Sequence, residues 1–162
     1  MYNNHLPELV YALATFSSVF ALFIGIALAT YGMNVALTII LMSLHTSING
    51  VLFYGVRRRD TTHIFVWLVF SFIEAIFCIV FVFYFVIESE NFLRKYNHLK
   101  MIDSFHTPKY KVLKELGTRQ YSCLAFSIAF GLFMVILLST SVTVKKFYDE
   151  LLRRGNHRSF RR

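Results

Sequence analysis

Two ionisable residues stand inside otherwise apolar sequence: His45 and Glu74. An imidazole and a carboxylate in reach of one another can hold or share a proton, or join two helices by a hydrogen bond. Asn49, one helical turn beyond His45, extends the set. The only charged break between the two residues is Arg57-Arg58-Arg59-Asp60. A hairpin folded about residues 59 and 60 puts His45 and Glu74 almost equally far from the turn, because antiparallel helices share one rise per residue. If the helices span a bilayer, both residues lie near its midplane. An ionisable residue there costs about 2.5–3.5 kcal/mol on insertion scales and is a functional site by default.

Two readings of the pair stand side by side. One is a proton- or cation-responsive site in a small transporter or channel component. The other is a hydrogen-bonded clasp that fixes the register of two helices; interhelical polar contacts of that kind average about 0.6 kcal/mol. The spans carry no further acidic residue, broken helix or inverted motif of the kind transporters use. As a catalytic base and its orienter the pair would need a nucleophile, and Ser43, Ser47 and Ser71 are too generic to choose among. The histidines outside the spans, His5, His63, His98, His106 and His157, show no metal-ligand spacing. No enzymatic activity, metal or cofactor is expected.

The elements that must position the pair are four apolar segments. Of 162 residues, 56% are apolar and only 16% charged, where a soluble domain carries about 25% charged. From Leu9 to Val56 there is no Lys, Arg, Asp or Glu, a stretch long enough for two spans of about 20 residues. The expected fold is all-α, a four-helix transmembrane bundle with spans at about 9–31, 35–56, 64–87 and 121–144. It forms one integral membrane domain, since no room remains for a separate soluble one. Residues 88–120 are expected as a loop holding short amphipathic helices. Phe92, Tyr96 and Leu99 have the spacing for one, Lys111 to Leu116 for another, and Pro108 would end the first. Met1 to Glu8 lacks a basic n-region, so the first span is expected to act as an uncleaved insertion signal.

Helical phase tells which faces turn inward. In span one Ala14, Ser18, Ala21, Gly25, Ala29 and Gly32 fall within roughly 80° at 100° per residue. Ala21, Gly25 and Ala29 are spaced four apart, a small-residue face that lets helices approach closely in lipid. It can pack against the other spans or against a second copy of the chain. Ser127 and Gly131 form a similar stripe in span four, with Cys123, Met134 and Ser141 beside them. Thr38, His45 and Asn49 share one face of span two within about 40°, and Trp67, Ser71, Glu74 and Cys78 one face of span three within about 60°. Cys78 and Cys123 sit at different depths and no disulfide between them is expected.

The net charge of +8 belongs to loops and tail, beside the membrane segments. That placement fits anionic lipid headgroups and topology rather than nucleic acid. Of the 17 Lys and Arg, three lie at Arg57, Arg58 and Arg59, seven in residues 88–120, and seven in the tail that begins at Lys145 and Lys146. Four spans put the first and last of these clusters on one side, ten basic residues against seven. Positive-inside bias then expects both termini, including the basic tail 145–162, in the cytosol and the loop 88–120 outside or in a lumen. Tyr148-Asp149-Glu150-Leu151 fits the Tyr-x-x-bulky sorting pattern, but so do Tyr96 to Leu99 and Tyr110 to Leu113, so the pattern discriminates little.

The run Tyr54-Gly55-Val56-Arg57-Arg58-Arg59 followed by Trp67-Leu68-Val69-Phe70 resembles the start of the third span in small four-pass proteins of invertebrates. That group includes the Pasiflora proteins and is related to lysosome-associated four-pass proteins. Its members carry a proline before the tryptophan, where this chain has Val66. The resemblance implies a non-enzymatic protein of cell junctions or of plasma or endolysosomal membranes. Its partners would be the bilayer and other membrane proteins, or itself. The first-loop signature of claudins and the Cys-Cys-Gly signature of tetraspanins are absent.

Overall fold

The computed structural model describes residues 5–32, 35–102 and 110–159. It is all-α, with helices α1 (Leu6–Thr30), α2 (Val35–Arg58), α3 (Thr61–Ile102) and α4 (Tyr110–Ser159). Each contains a stretch long and apolar enough to cross a membrane. In lipid every backbone polar group must be satisfied inside the segment, which is why apolar runs of this length become helices.

The chain divides into two compact units. One comprises Met1–Ile76 and Phe133–Arg162, the other Phe77–Leu132. In the first unit, contacts run in antiparallel register. Tyr11 meets Phe53, while a Cβ at Gly25 would lie 2.6 Å from Met42 Sδ. Gly25 therefore serves packing of α1 on α2 within the chain. The buried residues of α1 are Val10, Ala14, Ser17, Ala21, Ile24, Gly25 and Leu28, a stripe at spacings of three and four; Ala29 is half-buried at its edge. At one end of this unit all four helices meet in a core of Val10, Ala14, Ile48, Leu52, Val56, Ile64, Trp67, Val144 and Phe147. In the second unit α3 and α4 pair through rings: Phe81 lies 5.0 Å from Phe130, and Phe85 5.2 Å from Phe126, centroid to centroid. Cys78 and Cys123 are both buried there and not joined by a disulfide.

The turn between α2 and α3 is set by local chemistry. The Asp60 N–H donates to the Gly55 carbonyl at 2.9 Å and the Arg59 N–H to the Val56 carbonyl at 3.3 Å, the paired bonds of a Schellman closure. Arg59 takes the left-handed position that such a closure needs, with φ 54°. Asp60 then caps α3, its Oδ1 accepting from the Thr62 N–H at 2.9 Å. Gly55 permits the close approach of α3: a Cβ there would lie 3.2 Å from the Ile64 backbone nitrogen.

The segment 88–120 corrects the expectation of a loop with separate short helices. Residues up to Ile102 continue α3, and those from Tyr110 begin α4; Pro108 lies outside the described residues. The reason is that loss of apolarity is not loss of helicity. Residues 88–100 contain no glycine or proline and are rich in Glu, Lys, Arg and Leu, all good helix formers. Glu90 faces Arg94 at 3.7 Å, and Glu115 accepts from Arg119 at 2.9 Å, each four residues on.

Candidate functional site

His45 and Glu74 meet in the first unit. His45 Nδ1 lies 3.0 Å from Glu74 Oε1 and 3.2 Å from Oε2. Helix phase and hairpin register produce this contact. His45 precedes the end of α2 at Arg58 by 13 residues, and Glu74 follows the start of α3 at Thr61 by 13. Both therefore lie about 20 Å from the turn. The His45 side chain is 7% exposed and that of Glu74 19%.

The pair belongs to a larger network. Asn49 is 2% exposed. Its side-chain oxygen accepts from Trp67 Nε1–H at 2.9 Å, and its amide nitrogen reaches Ser18 Oγ at 2.8 Å and His45 Nε2 at 3.0 Å. Ser17 Oγ lies 3.4 Å from the same Nε2, and Ser18 donates on to the Ala14 carbonyl at 3.0 Å. The edge of the Phe133 ring, 5.4 Å away between centroids, closes the α4 side of the imidazole. One turn along α3, Ser71 meets Ser141 of α4 at 3.0 Å. Four helices thus contribute, and α3 gives Trp67, Ser71 and Glu74 from one face.

The directions of these bonds follow from Trp67. Indole nitrogen donates and never accepts, so the Asn49 atom facing it is the oxygen. The Asn49 NH2 then points at Ser18 and at His45 Nε2. Because Nε2 receives an N–H, it carries the lone pair, and the ring proton sits on Nδ1 and is donated to Glu74. Hydrogen positions are here assigned by the network. The chain of donation runs Trp67 to Asn49 to His45 to Glu74.

Other residues singled out by the sequence lie apart from this cluster. Ala21 and Gly25 are buried on α1. Ser127 and Gly131 are half-buried on α4, and a Cβ at Gly131 would meet nothing within 4 Å. The buried residues of α4 are instead Cys123, Phe126, Phe130, Phe133, Leu137, Thr140, Val144 and Phe147. Arg57, Arg58 and Arg59 are exposed beside Val56 and Ile64; Lys145 and Lys146 are exposed between Val144 and Phe147. All four apolar neighbours belong to one core cluster, so both basic groups flank the same end of the unit. Tyr148 is half-buried against that cluster. At the turn, His63 Nδ1 lies 2.6 Å from Asp60 Oδ2. The Thr62 N–H first, and then His63, hold the Asp60 carboxyl below its ordinary value of 3.8. Sequence reasoning missed the roles of Ser17, Ser18 and Trp67 in the network. The helical phase of Ser18 and Trp67 was visible; their hydrogen-bond partners were not.

Among the described residues no group of three or more His, Cys, Asp or Glu side chains is placed to hold a metal. No family, no curated protein and no solved structure matches the chain. Fold and composition define an all-α, multi-pass integral membrane protein.

Proposed function

We propose that this chain is a non-enzymatic structural or accessory membrane protein, acting in the assembly of membrane proteins at cell junctions or in plasma or endolysosomal membranes. The observation that carries the reading is the closed run of donors from Trp67 through Asn49 and His45 to Glu74. Each N–H in it is used within the chain, so these buried polar groups satisfy one another. Such a network sets helix register, with α1, α2 and α3 tied at one depth. The junctional or endolysosomal location rests on the resemblance carried by Tyr54 to Arg59 and Trp67 to Phe70. The basic residues 57–59 and 145–146, which would sit against anionic headgroups, support a cytosolic position for both termini.

Glu74→Gln in proteoliposomes tests the reading. The expected result is no pH-dependent flux from the wild-type chain and a lower yield of assembled protein from the variant. A pH-dependent flux that the variant abolishes while folding normally would sink it in favour of a small transporter or channel component. For sidedness, a cysteine at Asp103 should label only from outside the cytosol; labelling from the cytosol alone overturns the orientation.

A further inference from the structure

We propose that the outer side of the Glu74 carboxylate docks a transmembrane helix of another membrane protein that carries a lysine or arginine at the same depth. This rests on the accessory reading above and names the chemistry of the partner.

The hydrogen-bond directions leave Glu74 without a cation. Trp67 fixes the Asn49 amide, and Asn49 places an N–H on His45 Nε2, so Nδ1 is the nitrogen that donates to Glu74. An imidazolium would set an N–H of Nε2 against the N–H of Asn49, and turning the amide over would break its bond to Trp67. His45 therefore gives Glu74 a hydrogen bond and no charge. Among the described residues the other helices give none either. Ser17 and Ser18 come from α1, Phe133 and Ser141 from α4, and Ser71 and Trp67 from α3 itself. All 17 Lys and Arg of the chain lie at positions 57–59, 94–119 and 145–162, remote in sequence from the middle of every apolar stretch. An ionised carboxylate inside an apolar segment is costly without a counter-charge.

The Glu74 side chain is not fully enclosed. It is 19% exposed where its partner His45 is 7%. Its neighbours on α3, Phe70 and Ile73, are 39% and 41% exposed, so the side chain borders an apolar outer surface. In a membrane such a surface meets acyl chains or another helix. A basic residue buried in a second helix has the mirror-image difficulty, and the two charges relieve one another. Water-soluble cations are disfavoured by the apolar surround, and a second copy of this chain would bring another carboxylate rather than a cation.

The test uses the full-length protein in lipid nanodiscs and synthetic leucine-rich helices of about 20 residues, with binding read by fluorescence transfer. The helices carry a central lysine, a central leucine, a central glutamine, or a lysine displaced by two turns. The lysine helix is expected to bind at least tenfold tighter than the leucine helix, and the displaced lysine to lose that advantage. Glu74→Gln keeps an oxygen for His45 Nδ1 and should reduce the lysine helix to the leucine level. Emission from Trp67, the only tryptophan, reports whether that variant retains the network. The comparison among helices on the wild-type chain stands even if the variant fails to fold. Equal binding of lysine and leucine helices overturns the proposal. So does a glutamine helix that binds as well as lysine, since Glu74 would then act as a protonated hydrogen-bonding group. Self-association of the chain that Glu74→Gln abolishes also overturns it, by assigning that side of Glu74 to a second copy. Failure of the lysine helix leaves the flux result untouched, so loss of this inference and loss of the accessory reading are separable.

Discussion

Replacing Asn49 with leucine removes the hub of the network while keeping the branched shape of the side chain. Three hydrogen bonds go: to Ser18 Oγ at 2.8 Å, to His45 Nε2 at 3.0 Å and from Trp67 Nε1 at 2.9 Å. The two that join helices, to Ser18 of α1 and from Trp67 of α3, amount to about 1 kcal/mol at about 0.6 kcal/mol per interhelical polar contact in a membrane. The Trp67 N–H is also orphaned in a side chain only 2% exposed, which adds about 1–3 kcal/mol for an unpaired buried donor. Serine hydroxyls can turn to other acceptors; an indole fixed by packing cannot. The expected loss is therefore about 2–4 kcal/mol. The assay is unfolding by increasing mole fraction of SDS in mixed micelles, followed by far-ultraviolet circular dichroism so that the readout does not depend on Trp67. Trp67→Phe alone should cost less, because Asn49 keeps its bonds to Ser18 and His45. In the double variant the two losses should fall short of additive, since the contact they share is removed once. A change below about 0.5 kcal/mol for Asn49→Leu, or strict additivity, would show that the network does not set the packing of these helices.

Three further outcomes follow from the same structure. Gly25→Leu should destabilise the α1–α2 pair, since a Cβ alone would lie 2.6 Å from Met42 Sδ; Met42→Ala should recover part of the loss, whereas Gly131→Ala, with nothing within 4 Å, should change SDS unfolding by less than about 0.5 kcal/mol. Arg59→Gly should stabilise the α2–α3 turn by about 1 kcal/mol, because Arg59 holds φ 54° where side chains are strained; a loss of stability would mean that the Arg59 side chain outweighs its backbone. The Asp60 carboxyl is held below 3.8 by the Thr62 N–H and then by His63, so its contribution is fully present above that pH and fades as pH falls through the lowered value; Asp60→Asn should flatten the decline of stability below about pH 4, and an unchanged acid limb counts against the cap.

Much of the site was legible because helices impose both phase and depth. Thr38, His45 and Asn49 share a phase, as do Trp67, Ser71, Glu74 and Cys78, and the structure buries all of these except Glu74, which is half-buried. The single charged break at residues 57–60 fixed the turn, and equal distances from it brought His45 to Glu74. The α4 face was less legible. Ser127 and Gly131 marked a face by small size, yet the structure buries Phe126, Phe130 and Phe133 a fraction of a turn away, because stacked rings fill the space between α3 and α4 in the second unit. Small residues permit close approach without requiring it.

Sequence alone determined the number of helices, their apolar spans and the meeting of His45 with Glu74, since these depend on hydropathy, rise per residue and one turn. It could not set where α3 and α4 end, because polar helix formers continue a helix after apolarity stops. Only the tertiary structure decided the direction of the hydrogen bonds. An amide can face either way and an imidazole can carry its proton on either nitrogen; the indole of Trp67, which can only donate, settles both. That one contact, brought about by packing of α3 on α2, makes the polar centre a directed chain ending at Glu74.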